Sequence, residues 1–168
     1  MSNQGTISSH SNLIFPRMKT TTTQQHESLD ALSKKGTCIE FFSAYQDMDL
    51  DRMLSLCDTN GTIAFVPLGD SFKGKIHEVG KGLWATIMDA FPNLDNTVKN
   101  QVFDETTNTV TCQVVIFGTQ EKDFAGITSK KKNFDTEHIF IFRFNDAGKV
   151  TDLKISWDHE GFVGQLTK

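Results

Sequence analysis

The hydrophobic period of this chain changes at Pro92, and that change restricts the fold more than any other feature of the sequence. Before it, in HEVGKGLWATIMDAF (77–91), Val79, Leu83, Trp84, Ile87, Met88 and Phe91 recur at helical spacing. Pro92 ends that helix, because the residue before a proline is pushed out of the helical region. After it the period is two. Thr97–Asp104, Thr109–Thr119, Phe134–Phe144 and Val150–Trp157 read as four strands. A polar turn at Glu105–Asn108 joins the first pair, and NDAG (145–148) is a tight hairpin between the last two. The longer QEKDFAGITSKKKN (120–133) reads as a flexible loop, either a lid or simply loose.

Upstream of the switch the pattern is helical with one interruption. Leu29, Leu32, Ile39, Phe42 and Tyr45 predict helix over 27–46, and Gly36 leaves one kinked helix or two shorter ones open. In MDLDRMLSLCDTNG, Asp49 is an N-cap, and Leu50, Met53, Leu54 and Cys57 form a short apolar stripe. Asn60-Gly61 is the expected stop. TIAFVPL follows as a strand that Pro67 marks as an edge or an end. Residues 1–24, rich in Ser and Thr, read as a mobile tail, with Met18 an alternative start, and 25–168 as a single domain. The order is helix, helix, strand, helix, then four antiparallel strands. It predicts an α+β fold in which a curved antiparallel sheet packs against three N-terminal helices. Such a bent sheet is a cone with an apolar pocket at its mouth. Fourteen Phe against one Tyr suits that picture, since Phe fills an interior without a hydroxyl to satisfy.

Charge and motif content remove several function classes. A net charge of -4 gives no field that would attract nucleic acid or an anionic membrane surface. The basic cluster SKKK (129–132) lies among turn residues and reads as a solvated loop. No apolar run is long enough to span a bilayer, and the start lacks the apolar core of a secretory signal. Cys38, Cys57 and Cys112 show no metal spacing and are expected as buried free thiols in a reducing, cytoplasmic setting. The histidines at 10, 26, 77, 138 and 159 never stand four apart, so no metal is expected. Neither GxSxG nor a phosphate-cradling glycine loop is present.

Four stretches carry a family resemblance: AFP (90–92), GTQ with DFAGI (118–127), RFNDAGKV (143–150) and WDHEGFVGQL (157–166). With the element order, they make residues 37–166 resemble the SnoaL-like polyketide cyclase and ester-cyclase-like proteins of the nuclear transport factor 2-like superfamily. The resemblance implies a cone fold and a homodimer through the open sheet face. It also implies, for some relatives, cofactor-free ring closure on a small carbonyl-containing or polyketide-like substrate. In such cyclases an Asp near the end of the last strand is the general acid/base, and Asp158 is the position that matches.

The residues themselves leave that role open. A carboxylate gains basicity in an apolar pocket, and Trp157 and nearby Phe residues would supply one. Alternation opposes it: Leu153, Ile155 and Trp157 share one face of VTDLKISWD, and Asp158 falls on the other. Asp158 is therefore either the base or the polar end of a strand, and Trp157 either pocket or interface. His138 heads HIFIFRF on the face shared by Phe140, Phe142 and Phe144. It is either a titrating partner to Asp158 or a core histidine bound to backbone. Trp84, Phe117 and Phe140 are candidate pocket walls, and Gln120 either donates into the cavity mouth or lies exposed in its loop. His159 and Glu160 read as caps of a turn. Two readings remain: an enzyme, or a module that binds a small apolar ligand or acts as a dimeric adaptor.

Overall fold

The computed structural model describes residues 27–168; the tail expected over 1–24, Met18 included, lies outside them. Internal contacts divide the chain into Met1–Leu32 and Ser33–Lys168. Of the first unit the described part is the start of the first helix, where the Ser28 hydroxyl accepts a hydrogen bond from Ala31 N at 3.0 Å as a cap. This helix, α1, runs unbroken over Leu29–Gln46. Gly36 neither kinks nor splits it. The buried stripe of α1 in the second unit is Cys38, Phe41, Phe42 and Tyr45, an i, i+3, i+4, i+7 set, whereas Ile39 is exposed.

The short helix α2 spans Leu50–Ser55, with the Asp49 carboxylate accepting from Arg52 N at 3.1 Å. It ends earlier than the Asn60-Gly61 stop, which lies instead inside β1, Cys57–Phe65. The β1 pairing shifts register between Cys57 and Thr62, and a Cβ on Gly61 would stand 3.0 Å from the Val150 carbonyl. The Asn-Gly pair thus marks a bulge with close backbone approach, the other meaning of a strand glycine. Two single 3-10 turns, a three-residue strand β2 (Lys73–Lys75) and a π turn (Ile76–Gly80) lead into helix α3, Lys81–Ala90.

Four longer strands follow: β3 (Asp95–Asp104), β4 (Thr109–Thr119), β5 (Asn133–Phe144) and β6 (Val150–Trp157). The chain closes on helix α4, His159–Thr167, where the sequence reading had only a turn. Two glycines in HEGFVGQLT dilute its helical signal, but Phe162 and Leu166, four apart, are buried. The sheet is curved and unclosed, in the order β2-β1-β6-β5-β4-β3, with β1 parallel to β6 and the other pairs antiparallel.

The inner face of the sheet explains the phenylalanine excess. Along β5 every second residue from Phe134 to Phe144 is buried. Phe140 pairs with Cys112 of β4 and Ile155 of β6, and Phe142 with Val110 and Leu153. Helix α1 lays Phe41 and Phe42 across this stripe edge-to-face, at 5.2 Å from Phe142 and 4.9 Å from Phe140 between ring centres. Edge-to-face packing joins the positive rim of one ring to the negative face of the next, adding about 0.5–1.5 kcal/mol per pair to simple burial.

The segment between β4 and β5 is pinned rather than loose. Phe124 and Ile127 are buried and exchange backbone hydrogen bonds. Phe124 packs edge-to-face on Phe91 at 5.5 Å. The three cysteines are buried and free, and among the described residues no helix is long and apolar enough to cross a membrane.

Candidate functional site

A cavity of about 60 Å³ opens between the inner sheet face and the helices. The strands contribute His138 and Phe140 from β5 and Ile155 and Trp157 from β6. Helices α1 and α3 add Tyr45, Trp84 and Ile87, and α4 adds His159 and Phe162. Phe91 and Phe124 close another side. No Asp, Glu, Lys or Arg stands among the residues that line it, so its polarity rests on uncharged groups.

His138 is the most buried of these imidazoles, 9% exposed, because its position in the β5 alternation points it inward. Its Nδ1–H donates to the Thr136 carbonyl at 2.9 Å. That bond fixes the tautomer and leaves Nε2 with a lone pair and no partner among the described residues. Burial penalises the imidazolium and pulls the pKa down from 6.5 to about 4, against a smaller opposing effect of the Thr136 carbonyl. The ring is neutral at pH 7.

Trp157 lies opposite His138 in the sheet register, with the two rings stacked at 5.3 Å and 23°. Its indole Nε1–H donates to His159 Nδ1 at 3.3 Å. His159, the first residue of α4, stacks in turn on Phe162 at 5.8 Å. Tyr45 packs edge-to-face on Trp84 at 6.4 Å, and burial holds its phenol well above its ordinary pKa. Tyr45 lines the cavity, and its hydroxyl makes no hydrogen bond to another described residue.

The structure does not bring Asp158 and His138 together. Asp158 is exposed and caps α4, its carboxylate accepting from Gly161 N at 3.0 Å. It borders a surface dent with Glu160 and Gln165, outside the aromatic cavity. The cause is the alternation of β6: Trp157 takes the inward direction and the next residue turns out. Phe117 departs from its expected place for the same reason. Ile116 faces the cavity, and Phe117 lies in an outer groove with Asn93 and Asp95. Gln120 is fully buried rather than exposed, and it does not line the cavity. Its Nε2 donates to the Lys122 and Ile127 carbonyls at 3.0 and 2.8 Å and so holds the Phe124 turn in place. Trp84, Phe140, Trp157 and His138 all line the cavity.

Two polar lining residues, Tyr45 and His159, are not among the site residues expected from the sequence. His159 was invisible because α4 was read as a turn. Tyr45 left a signal: it is the one tyrosine among fourteen phenylalanines, at a position the helical spacing had already turned inward. Among the described residues no group of three His, Cys, Asp or Glu could hold a metal ion.

The SnoaL-like polyketide cyclase family model matches residues 40–166. Among solved structures, a protein from Jannaschia sp. CCS1 assigned as a SnoaL-like polyketide cyclase superposes with a TM-score of 0.74 at 19% identity, covering 85% of this chain and 97% of that one. IdmH from Streptomyces antibioticus, assigned as a polyketide cyclase, gives 0.65 at 21% identity over 79% and 96% of the two chains. A protein of ketosteroid isomerase-like fold from Catenulispora acidiphila gives 0.64 at 13% identity over 77% and 91%. At these identities the likeness is one of fold. No curated protein matches the chain.

Proposed function

We propose, on the ground that the chain belongs to the SnoaL-like polyketide cyclase family, that it is a cyclase or isomerase acting on a small, neutral, carbonyl-containing molecule in the aromatic cavity. The observation that carries this reading is His138: a neutral imidazole in an apolar wall, its Nδ1–H committed to backbone and its Nε2 lone pair left for a ligand. The Tyr45 hydroxyl supplies a donor for a carbonyl oxygen.

In this reading His138 Nε2 removes a proton α to the carbonyl. The resulting enolate oxygen accepts a hydrogen bond from Tyr45, and the imidazolium returns the proton to another atom of the same molecule. No net proton or electron is gained. Burial makes imidazolium costly, so the step requires the enolate charge to form beside it, where low dielectric strengthens the attraction. The same low basicity, with the narrow cavity, favours a second reading in which the protein holds its ligand without turning it over.

Asp158 remains the base that family resemblance implies, but it would have to leave Gly161 N and enter from outside the cavity. Solvent-exchange kinetics separate these readings. The protein should accelerate deuterium incorporation α to the carbonyl of small ketones in D2O. His138→Gln should remove at least nine-tenths of that acceleration, a scale set by the typical contribution of a positioned base, and Asp158→Asn should leave it within about twofold of wild type. Loss in Asp158→Asn with retention in His138→Gln would transfer the base role to Asp158. No acceleration with any ketone would leave the binding reading.

The proposal includes a homodimer through the outer sheet face, where Val102, Thr111 and Ile141 lie side by side across β3, β4 and β5. Val102 and Ile141 are exposed large apolar residues of that face.

A further inference from the structure

Two imidazoles line the cavity, and their hydrogen bonds assign them opposite roles. His138 donates through Nδ1 to the Thr136 carbonyl, so its Nε2 is an acceptor. His159 accepts at Nδ1 from the Trp157 indole, so its proton sits on Nε2, which is a donor without a partner among the described residues. The Trp157 ring lies between them, stacked on His138 at 5.3 Å and edge-on to His159 at 5.9 Å. One side chain thus touches both imidazoles, through its face and through its N–H. Since neither histidine faces a charged group within the cavity lining, the tautomers are set by these hydrogen bonds rather than by an ion pair.

We infer that Trp157 is a positioning residue that holds His159 as a hydrogen-bond donor opposite the acceptor His138, and that the cavity therefore selects neutral ligands presenting a hydroxyl and a carbonyl together, as a β-hydroxy ketone does. This rests on the proposed ligand site and sharpens it. The hydroxyl donates to His138 Nε2, and the carbonyl oxygen accepts from His159 Nε2–H. Both imidazoles keep their protons in this bound state, so nothing is transferred by the recognition itself. An anion is disfavoured because His138 Nε2 offers it a lone pair rather than a proton. A simple ketone is disfavoured because it leaves that lone pair buried and unanswered. The Tyr45 hydroxyl is a second donor available to the carbonyl.

The test needs no knowledge of the natural ligand. Ring ¹⁵N shifts of the wild-type protein report each tautomer. His159 should be protonated at Nε2 and His138 at Nδ1, and the reverse at His159 would overturn the inference without any variant. Binding is then followed by titrating 4-hydroxy-2-butanone against 2-pentanone, which match in heavy atoms but differ by the hydroxyl. Wild type should prefer the hydroxy ketone about tenfold, the scale of one hydrogen bond to an otherwise unsatisfied buried atom.

Trp157→Phe keeps an aromatic face against His138 and removes only the N–H. It should shift His159 toward a mixture of tautomers and weaken both ketones about threefold, leaving in place the preference that His138 sets. His159→Leu, on the first turn of the last helix, removes the donor and should weaken both ketones alike while keeping the preference, so it serves if the Trp157 variant does not fold. Equal binding of the two ketones, or an unchanged His159 tautomer in Trp157→Phe, would refute the assignment while leaving the ligand site intact. Binding of neither ketone would remove the ligand site itself, and the inference with it.

Discussion

At the scale of single residues, the burial of His138 was legible in the sequence, and the Trp157–His159 bond beside it was not. The alternation of HIFIFRF placed His138 on the phenylalanine face, and it lines the cavity there. Alternation in VTDLKISWD likewise set Trp157 and Asp158 on opposite sides, and Asp158 caps α4 outside the cavity. What one strand's pattern could not show is the bond between the Trp157 indole and His159, which depends on the first turn of a helix the sequence conceals.

Burial of His138 has a consequence for stability. Its pKa falls from 6.5 in the unfolded chain to about 4 in the fold, so between those values the unfolded state binds more protons. The stabilisation from keeping the ring neutral is fully present above pH 6.5 and is lost as pH falls toward 4. A fall from 6.5 to about 4 corresponds to a loss on the order of 3 kcal/mol across the window. Urea unfolding at pH 7, 5.5 and 4.5 should show it, with a flatter profile in His138→Gln; parallel profiles for the two proteins would mean that another group carries the dependence.

Among the elements, helix α1 and strands β4 to β6 were readable because each repeats one period over eight residues or more, whereas β3 slips register between Val98 and Asn100. Those that escaped were short or diluted. β2 has three residues, too few for any alternation to register, and α4 carries glycines at 161 and 164. Asn60-Gly61 was misread because an Asn-Gly pair serves a helix stop and a strand bulge equally well, and the choice is made by the close approach of Val150. Gly36 offered an apparent break in α1 that packing along Cys38, Phe41, Phe42 and Tyr45 overrides.

That glycine gives a direct prediction. It is exposed in mid-helix, with nothing within 4 Å of where a Cβ would stand. Gly36→Ala should therefore stabilise the protein by about 0.5–1 kcal/mol, through a lower backbone entropy in the unfolded chain. Thermal unfolding should move up by roughly 1–4 °C for a chain of this size. A fall in Tm would show that α1 needs flexibility at that point.

For the molecule as a whole, the fold class followed from the change of period at Pro92, but the neighbour relation of β1 and β6 did not. A parallel pair between the first and last long strands is a long-range decision that no local pattern carries. The site inherits the same division. Its apolar walls were foreseeable from the Phe excess, whereas the uncharged character of the cavity depends on which residues the sheet and helices bring to one place. On the outer face, the proposed homodimer makes Ile141→Glu informative. Sedimentation should show a dimer for wild type and a shift toward monomer for the variant, since a buried unpaired carboxylate opposes association. A wild-type monomer at micromolar concentration would remove the dimer from the account.

The central claim is that neutral carbonyl compounds bind in the aromatic cavity against His138. It is tested most directly by following the His138 ring resonances while the protein is titrated at pH 7 with 2-pentanone or with the similarly sized anion butyrate. Saturable shifts are expected at His138 and Tyr45 with the ketone, and at least tenfold weaker binding of the anion, the penalty of bringing a charge into a cavity that offers it no cation. Shifts confined to Asp158, Glu160 and Gln165 on the surface, or butyrate binding at His138 as tightly as the ketone, would contradict it.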